Sequence, residues 1–247
     1  MDRTASRAPG ATDGHIMPGD VVAADLEGTL TDGETWRGIG RWLTEHGRRR
    51  AYRRFLVPRL PLVPLVRAGV IDRQAFRDRW MRDLAVLFGG SDADRVDAAA
   101  QWVVDEELWP ARREGMLRTL AEARDAGARV VIVSGAFSPI LDRFAARAGV
   151  ESVGTPLEIV DGMATGRLAG PVNTGHWKVE RLARRIGTAP LRRAYGDSAA
   201  DALLLAAAAD PAAVTPDPAL ARLARQRGWR ILDADGSAVT DGASRPS

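Results

Sequence analysis

Four acidic residues follow the ends of two short predicted strands. One strand is the apolar run 21–24, and the other is 191–195, with the sequence Leu-Arg-Arg-Ala-Tyr; short strands that end at polar residues are typical of a parallel sheet. Because the carboxyl ends of parallel strands meet at one edge of a sheet, these side chains would converge and repel one another. A hard cation relieves that repulsion, and carboxylate oxygens suit Mg²⁺. The four residues are Asp25, Glu27, Asp197 and Asp201.

A serine, a glycine and a lysine supply the opposite chemistry. Ser134 and Gly135 follow the apolar run at 128–133 and precede a predicted helix, so their hydroxyl and amide groups are placed to donate to an anion. Lys178 is the only lysine in the chain and adds a compact positive charge. A metal cation, a lysine and amide donors would together hold a phosphate for attack by a carboxylate. The pattern therefore predicts phosphoryl transfer.

These groups need a scaffold that brings separate strand ends together, and the rest of the chain predicts one. Apolar runs alternate with segments of helical periodicity, which is typical of an α/β fold with a doubly wound, mostly parallel sheet. Asp161 and Gly162 join two short extended runs and indicate a hairpin. The predicted strands are 21–24, 128–133, 157–160, 163–168, 191–195, 212–214 and 230–232, and the predicted helices that follow the second strand are 137–148, 174–186, 199–209 and 218–227.

The stretch between the first two strands is too long for a simple crossover. It has about 95 residues, whereas a βαβ unit takes roughly 30 or more. Apolar residues at helical spacing predict helices there, over 36–46, 72–88, 92–108 and 110–127. We therefore predict a helical cap domain at 34–111, inserted into a core domain made of 19–33 and 112–235, with disordered tails at 1–18 and 236–247.

The composition limits the class of protein. A chain of 247 residues that is 45% hydrophobic can bury a substantial core. Its 35 Lys and Arg against 32 Asp and Glu give a net charge of +3, which is too small to predict nucleic-acid binding. The absence of cysteine excludes disulfides and thiolate metal sites. Neither a signal peptide nor a stretch long enough for stable membrane insertion is predicted, so we expect a cytoplasmic monomer or homodimer.

One basic cluster, Arg48 to Arg54, leaves two interpretations open. It is either a solvated helix face or a contact with an acidic partner or membrane surface.

Taken in order, four motifs resemble those of the haloacid dehalogenase (HAD) superfamily. Within it, the chain is most similar to the phosphoserine phosphatase-like subgroup (subfamily IB), in which a helical cap follows the first motif. The resemblance covers roughly residues 20–233 and implies a HAD-like Rossmannoid core. The motifs are Asp25-Leu26-Glu27-Gly28-Thr29-Leu30, Val131-Ile132-Val133-Ser134-Gly135, Lys178, and Gly196-Asp197-Ser198-Ala199-Ala200-Asp201.

This resemblance implies a Mg²⁺-dependent phosphomonoesterase acting on a small phosphorylated metabolite, with phosphoserine as one candidate. Asp25 would be the nucleophile that forms an aspartyl-phosphate, and Glu27 would protonate the leaving alcohol and then activate water. Catalysis would also need Lys178. The implied metal ligands are Asp25, the main-chain carbonyl of Glu27, and Asp197, with support from Asp201. The implied phosphate and substrate contacts are Ser134, Gly135 and, from the cap side, Glu34 and Arg79.

Two departures from the family pattern keep other functions open. The family usually has Asp where this chain has Glu27, and relatives of the phosphoserine:homoserine phosphotransferase type carry Glu there. A phosphotransferase that passes the phosphoryl group to an alcohol such as homoserine is therefore the alternative. Ala200 stands where phosphoserine phosphatases usually have Asn, so serine is only one of the possible products. A non-catalytic phosphate-binding protein is the third hypothesis.

Overall fold

The computed structural model describes residues 15–239, apart from the side chain of Arg67. Six strands form one sheet in which every neighbouring pair runs parallel. Residues 15–239 contain eight strands in all: β1 (Val21–Ala24), β2 (Arg129–Phe137), β3 (Glu151–Thr155), β4 (Leu157–Val160), β5 (Met163–Leu168), β6 (Leu191–Gly196), β7 (Asp210–Val214) and β8 (Arg230–Leu232). The sheet order is β3-β2-β1-β6-β7-β8, with β4 and β5 forming a separate antiparallel pair. The predicted doubly wound α/β fold is confirmed.

Helices cover both faces of this sheet. They are α1 (Thr35–Glu45), α2 (Arg49–Leu56), α3 (Leu62–Arg67), α4 (Arg73–Ala85), α5 (Ala93–Val103), α6 (Glu114–Asp125), α7 (Ser138–Ala148), α8 (His176–Ile186), α9 (Ala202–Ala206) and α10 (Pro218–Arg227). Short 3₁₀ turns at Val86–Phe88 and Ala199–Asp201 and a π-helical turn at Val104–Leu108 complete the regular structure of residues 15–239. Within these residues, no helix has both the length and the apolar character needed to cross a bilayer.

Alternating side chains of the central strands divide the apolar core in two. Val22 and Ala24 of β1 belong to one buried cluster, and Val21 and Ala23 belong to the other, as the two-residue period of a strand requires. The second cluster is filled from α8, α9 and α10. The first cluster extends into α1, α4 and α5. The rings of Phe88 and Phe137, both in this cluster, pack edge to face with 5.9 Å between their centroids. The inserted helices are therefore anchored on one face of the sheet.

Helices α1–α5 occupy the stretch predicted for the cap, while the domain bounds themselves stay a prediction. The basic cluster lies on and just before α2, and its role also stays a prediction. The parts of the predicted tails at 1–14 and 240–247 lie outside the described residues.

Several sequence-based boundaries were wrong. The helix expected from Pro110 begins at Glu114, because the chain before it bonds to the loop after β1: the Arg113 amide donates to the Leu30 carbonyl, and the Asp32 amide donates to the Ala111 carbonyl. Strand β3 was missed because its sequence, Glu-Ser-Val-Gly-Thr, contains a single large apolar residue. The helix expected at 199–209 is shorter and begins with a 3₁₀ turn.

Candidate active site

Three parallel strands deliver the predicted residues to one edge of the sheet. Asp25 follows β1 directly, Asp197 follows β6, and Ser134 lies inside β2. Their side chains border a cavity of about 760 Å³ that extends up to the inserted helices. Of the residues predicted for the site, the cavity is lined by Asp25, Glu27, Glu34, Ser134, Gly135, Lys178 and Asp197.

Lys178 is the centre of the charged network. It lies in the first turn of α8 and is only 4% exposed. Its ammonium donates to Oδ1 of Asp25 and to Oδ1 of Asp201, each at 2.5 Å. Burial alone would lower the pKa of Lys178, but the negative charges of Asp201 and Asp25 outweigh that effect and raise it. The ammonium is therefore kept charged at the point where a phosphate would bind.

Asp201 is held in a way that orients Lys178. Its Oδ2 accepts from the amide and the hydroxyl of Ser198, at 3.2 and 3.0 Å, in a capping box at the 3₁₀ turn. A Cβ at position 196 would overlap the side chain of Asp201, so only glycine fits there. Burial favours a raised pKa, but the Lys178 ammonium and the Ser198 donors lower the pKa of Asp201. Both carboxylate oxygens thus have fixed partners within the protein.

Asp197 has no such partners. In the described part of the chain, no donor reaches its carboxylate, which lies beside Gly28, where a Cβ would overlap it. Carboxylate oxygens of Asp25, Asp197 and Asp201 lie within 4.8 Å of one another. Burial, followed by the charges of Asp25 and Asp201, raises the pKa of Asp197 to about 8. For Asp25, burial is again the largest cause and raises the pKa to about 6.

This donor set fits a divalent cation. The cluster contains more negative charge than Lys178 alone can neutralise, and its oxygens are close enough to share one ion. Since Asp201 is already occupied by Lys178 and Ser198, the carboxylates free to act as ligands are those of Asp25 and Asp197.

Glu27 is directed toward the inserted helices. Its Oε1 accepts from the amide of Thr35, the first residue of α1, at 2.5 Å. Burial raises the pKa of Glu27, although the Thr35 hydrogen bond opposes this shift. Glu27 therefore connects the loop after β1 to the N-terminus of the first inserted helix.

Ser134 and Gly135 are held rigidly at the same edge of the sheet as Asp25. The Ser134 hydroxyl accepts from the Ala136 amide at 3.2 Å, and the Asn173 side chain donates to the Ser134 carbonyl at 3.1 Å. The Thr155 hydroxyl donates to the Gly135 carbonyl at 2.8 Å. These bonds fix the backbone on which an anion would rest.

The arginines that the inserted helices bring to the cavity do not include Arg79, the one expected from the resemblance. Glu34 lines the cavity, and its Oε2 accepts from Arg37 at 3.2 Å. The structure does not bring Arg79 to this cavity: its side chain is 79% exposed and lies 3.7 Å from Asp83. Arg73 and Arg77 line the cavity instead. Substrate contact by Arg79 stays a prediction that these positions do not support.

Sequence reasoning missed two further groups of residues. Arg113 donates from Nη1 to the Gly28 carbonyl and to the Thr215 hydroxyl. It also pairs with Asp32, so it holds the loop after β1. Arg73 and Arg77 were missed although they stand four residues apart on α4, which places them on one helix face. The four-residue spacing was a signal in the sequence that could have identified Arg73 and Arg77. No sequence pattern marks Arg113, because only the tertiary fold brings it to Gly28.

Comparison with known proteins decides the family. A family model described as haloacid dehalogenase-like hydrolase matches residues 22–206. The chain belongs to this family. The predicted family is confirmed, and all four motifs lie inside the matched region.

Relatives of this haloacid dehalogenase-like hydrolase include named phosphatases. Phosphoserine phosphatase SerB1 of Mycobacterium tuberculosis is 33% identical over 231 residues, which covers 87% of this chain and 72% of that protein. Among solved structures, a protein of unknown function from Bordetella pertussis Tohama I aligns with a TM-score of 0.75 at 22% identity, covering 88% and 99% of the two chains. A phospho-aspartyl intermediate analogue of phosphoserine phosphatase aligns with a TM-score of 0.57 at 21% identity, covering 87% and 93%. These two structures share its fold, and the predicted enzyme class, a phosphomonoester hydrolase, is confirmed at the family level.

Proposed function

We propose that this hydrolase is a Mg²⁺-dependent phosphomonoesterase that uses Asp25 as its nucleophile. The observation that carries the proposal is the convergence of Asp25, Lys178 and Asp197 at one end of the cavity. The substrate is a small phosphorylated metabolite, and the relatives' names make phosphoserine the first compound to test.

Asp25, Asp197 and the main-chain carbonyl of Glu27 would hold Mg²⁺, which when bound neutralises phosphate oxygens and orients them for attack. On the opposite side, the Lys178 ammonium and the amides after Ser134 would hold the remaining phosphate oxygens. Asp201 acts through Lys178 as a positioning residue, since its carboxylate fixes the ammonium. Arg77 would meet the substrate from the side of the inserted helices.

The reaction has two displacements at phosphorus. A carboxylate oxygen of Asp25 bonds to phosphorus while the bond to the alcohol oxygen breaks, and Glu27 gives the departing alcohol its proton. Water then attacks the aspartyl-phosphate, Glu27 takes a proton from that water, and inorganic phosphate leaves. The Thr35 amide holds the Glu27 carboxyl during both steps.

A phosphate-release assay over a panel of small phosphomonoesters tests this function. The wild-type protein should release phosphate with Mg²⁺ and not after chelation, and Asp25→Asn should be inactive. Asp125→Asn is the matched control, because Asp125 lies on the surface in an ion pair with Arg124. Turnover by Asp25→Asn would overturn the nucleophile assignment, and absence of turnover by the wild type on every ester would overturn the proposed activity.

The phosphotransferase alternative rests on Glu27, and the same assay addresses it. Homoserine and other alcohols are added together with the phosphoester, and the products are separated. A new phosphoester would favour transfer to the alcohol, whereas free phosphate in every mixture would leave hydrolysis as the activity.

A further inference from the structure

Opposite the carboxylates, the active-site cavity is apolar. Its volume of about 760 Å³ lies in the upper part of the range of roughly 300–1,000 Å³ that is typical of pockets for drug-sized ligands. Phosphoserine carries a single methylene group, so it would leave most of this wall uncovered. The apolar lining comes from α1, the segment after α2, α3 and α4, and includes Trp36, Leu60, Val63, Phe76, Trp80 and Met81.

The aromatic part of this wall is preformed. The Trp80 ring is surrounded by three others: Trp36 at 5.6 Å, Phe55 at 5.0 Å and Phe76 at 5.7 Å between centroids. Edge-to-face and tilted contacts of this kind fix ring orientations, because each ring restricts its neighbours. A ligand chain that covers the wall therefore meets a surface that is already ordered, which lowers the entropy cost of binding.

The charged groups beside the wall favour an anionic head group. The two carboxylates at its edge are already paired, Asp32 with Arg113 and Glu34 with Arg37. Among the described residues, the cavity-lining Arg73 and Arg77 form no salt bridge. The charge of Arg77 acts on Glu27 and Asp197, which also border the cavity. An anionic head group thus finds donors here.

The apolar surface continues out of the cavity. Between residues 57 and 70, five large apolar side chains are at least 37% exposed. Leu60 belongs both to this exposed set and to the cavity lining, so it joins the two surfaces. The other four are Val57, Leu62, Leu65 and Val70.

We infer that the preferred substrate is the monophosphate ester of an amphiphile, an alcohol that carries an extended apolar chain. This inference rests on the proposed phosphatase function and specifies its substrate class. The phosphate lies among Asp25, Lys178 and Asp197, and the chain runs along Val63, Phe76 and Trp80 toward Leu60. Hydrolysis consumes one water, breaks the bond between phosphorus and the ester oxygen, and releases the protonated amphiphilic alcohol and inorganic phosphate.

A chain-length series tests the inference. The rate of phosphate release is measured with Mg²⁺ for alkyl monophosphates from ethyl to decyl, each below its critical micelle concentration, and for O-phosphoserine. The value of kcat/KM should rise with length by up to about fourfold per methylene, the factor that corresponds to full burial of one CH₂. Geranyl phosphate is run beside decyl phosphate to tell whether an isoprenoid or a straight chain is the better match.

Two variants at one position check that the wall is responsible. Val63→Asp places a charge on the wall, and Val63→Trp fills the cavity while keeping the wall apolar. Both should lower the ratio of kcat/KM for decyl phosphate to that for ethyl phosphate by about tenfold or more. This ratio does not depend on the fraction of protein that folds. Val70→Asp and Val70→Trp are the matched controls, because Val70 is 72% exposed and lies outside the cavity.

The outcomes separate this inference from the proposed function. A steep rise with chain length that Val63 variants flatten supports it. Hydrolysis of ethyl phosphate and O-phosphoserine without any gain from longer chains would overturn the inference and leave the phosphatase function in place. If no ester is hydrolysed, p-nitrophenyl phosphate included, both the inference and the proposed phosphatase function would be overturned.

Discussion

The two ends of the active-site cavity are built in opposite ways. At the floor, defined here as Asp25, Lys178, Asp197 and Asp201, charged side chains converge at strand ends, and Lys178 fixes the carboxylates of Asp25 and Asp201. At the roof, formed by helices α1–α4 and the turns between them, apolar side chains form the wall and several remain exposed. Under the proposed function, reaction chemistry and substrate selection therefore belong to separate elements. Changes at the floor should therefore affect every substrate, and changes at the roof should affect substrates unequally.

The largest expected effect is the loss of the metal site at the floor. Mg²⁺ should raise the melting temperature of the wild type, with a stabilisation of about 2.7 kcal/mol at 100 times its dissociation constant. Asp197→Asn should abolish this shift together with activity on all esters, because it removes a ligand that has no other partner. Thermal unfolding with increasing Mg²⁺ measures the effect, and Asp125→Asn should behave as the wild type. An unchanged Mg²⁺ shift in Asp197→Asn would place the ion elsewhere.

The next effect concerns the lysine at the floor. Lys178→Arg keeps the charge, but the larger planar guanidinium does not fit the place where one ammonium bonds to Asp25 and Asp201. We expect kcat to fall by about 10²-fold or more for short and long esters alike. Steady-state kinetics on ethyl and decyl phosphate measures this uniformity. An Arg variant with nearly wild-type kcat would show that only positive charge is needed.

A smaller effect is expected from the arginines of the roof. Arg77→Ala should raise KM by about tenfold, the loss expected for one hydrogen bond to a charged group. Arg79→Ala should change KM by no more than about twofold, because its side chain is exposed and lies outside the cavity. The pair forms its own control. Equal effects at both positions, or a larger one at Arg79, would restore the contact inferred from the sequence.

The smallest expected effect concerns the hydrogen bonds that connect the roof to the core. Thr174 accepts from Gln74 at 2.5 Å and donates to Asp78 at 2.9 Å, both on α4. Thr174→Val removes these bonds, so hydrogen exchange in α4 should become about five- to tenfold faster. The control is Thr119→Val, whose hydroxyl bonds only within α6. Unchanged exchange in α4 would mean that apolar packing alone holds the roof.

The same division explains how much of the molecule the sequence predicted. The floor was predictable because each of its residues comes after an apolar strand or within a helix with clear limits, and a parallel sheet brings strand ends together. The sequence therefore assigns Asp25, Ser134, Lys178 and Asp197 to one site, and the structure places all four on one cavity.

The roof was less predictable. Its helices are amphipathic, and periodicity shows which face is apolar but not which cavity that face borders. Arg79 and Arg77 stand only two residues apart, and the side of α4 that faces the cavity depends on how the helix packs. The same holds for Arg113, whose contacts with Gly28 and Asp32 span more than 80 residues of sequence.

The most direct test of the account is to trap the phosphoryl group on the nucleophile. The protein is mixed with Mg²⁺ and a good substrate, quenched in acid within the first turnover, digested and analysed by mass spectrometry. The account predicts one added phosphoryl group on the peptide that contains Asp25, and none on that peptide in Asp25→Asn. Phosphate release without any modified Asp25 peptide, or with the label on another residue, would contradict it.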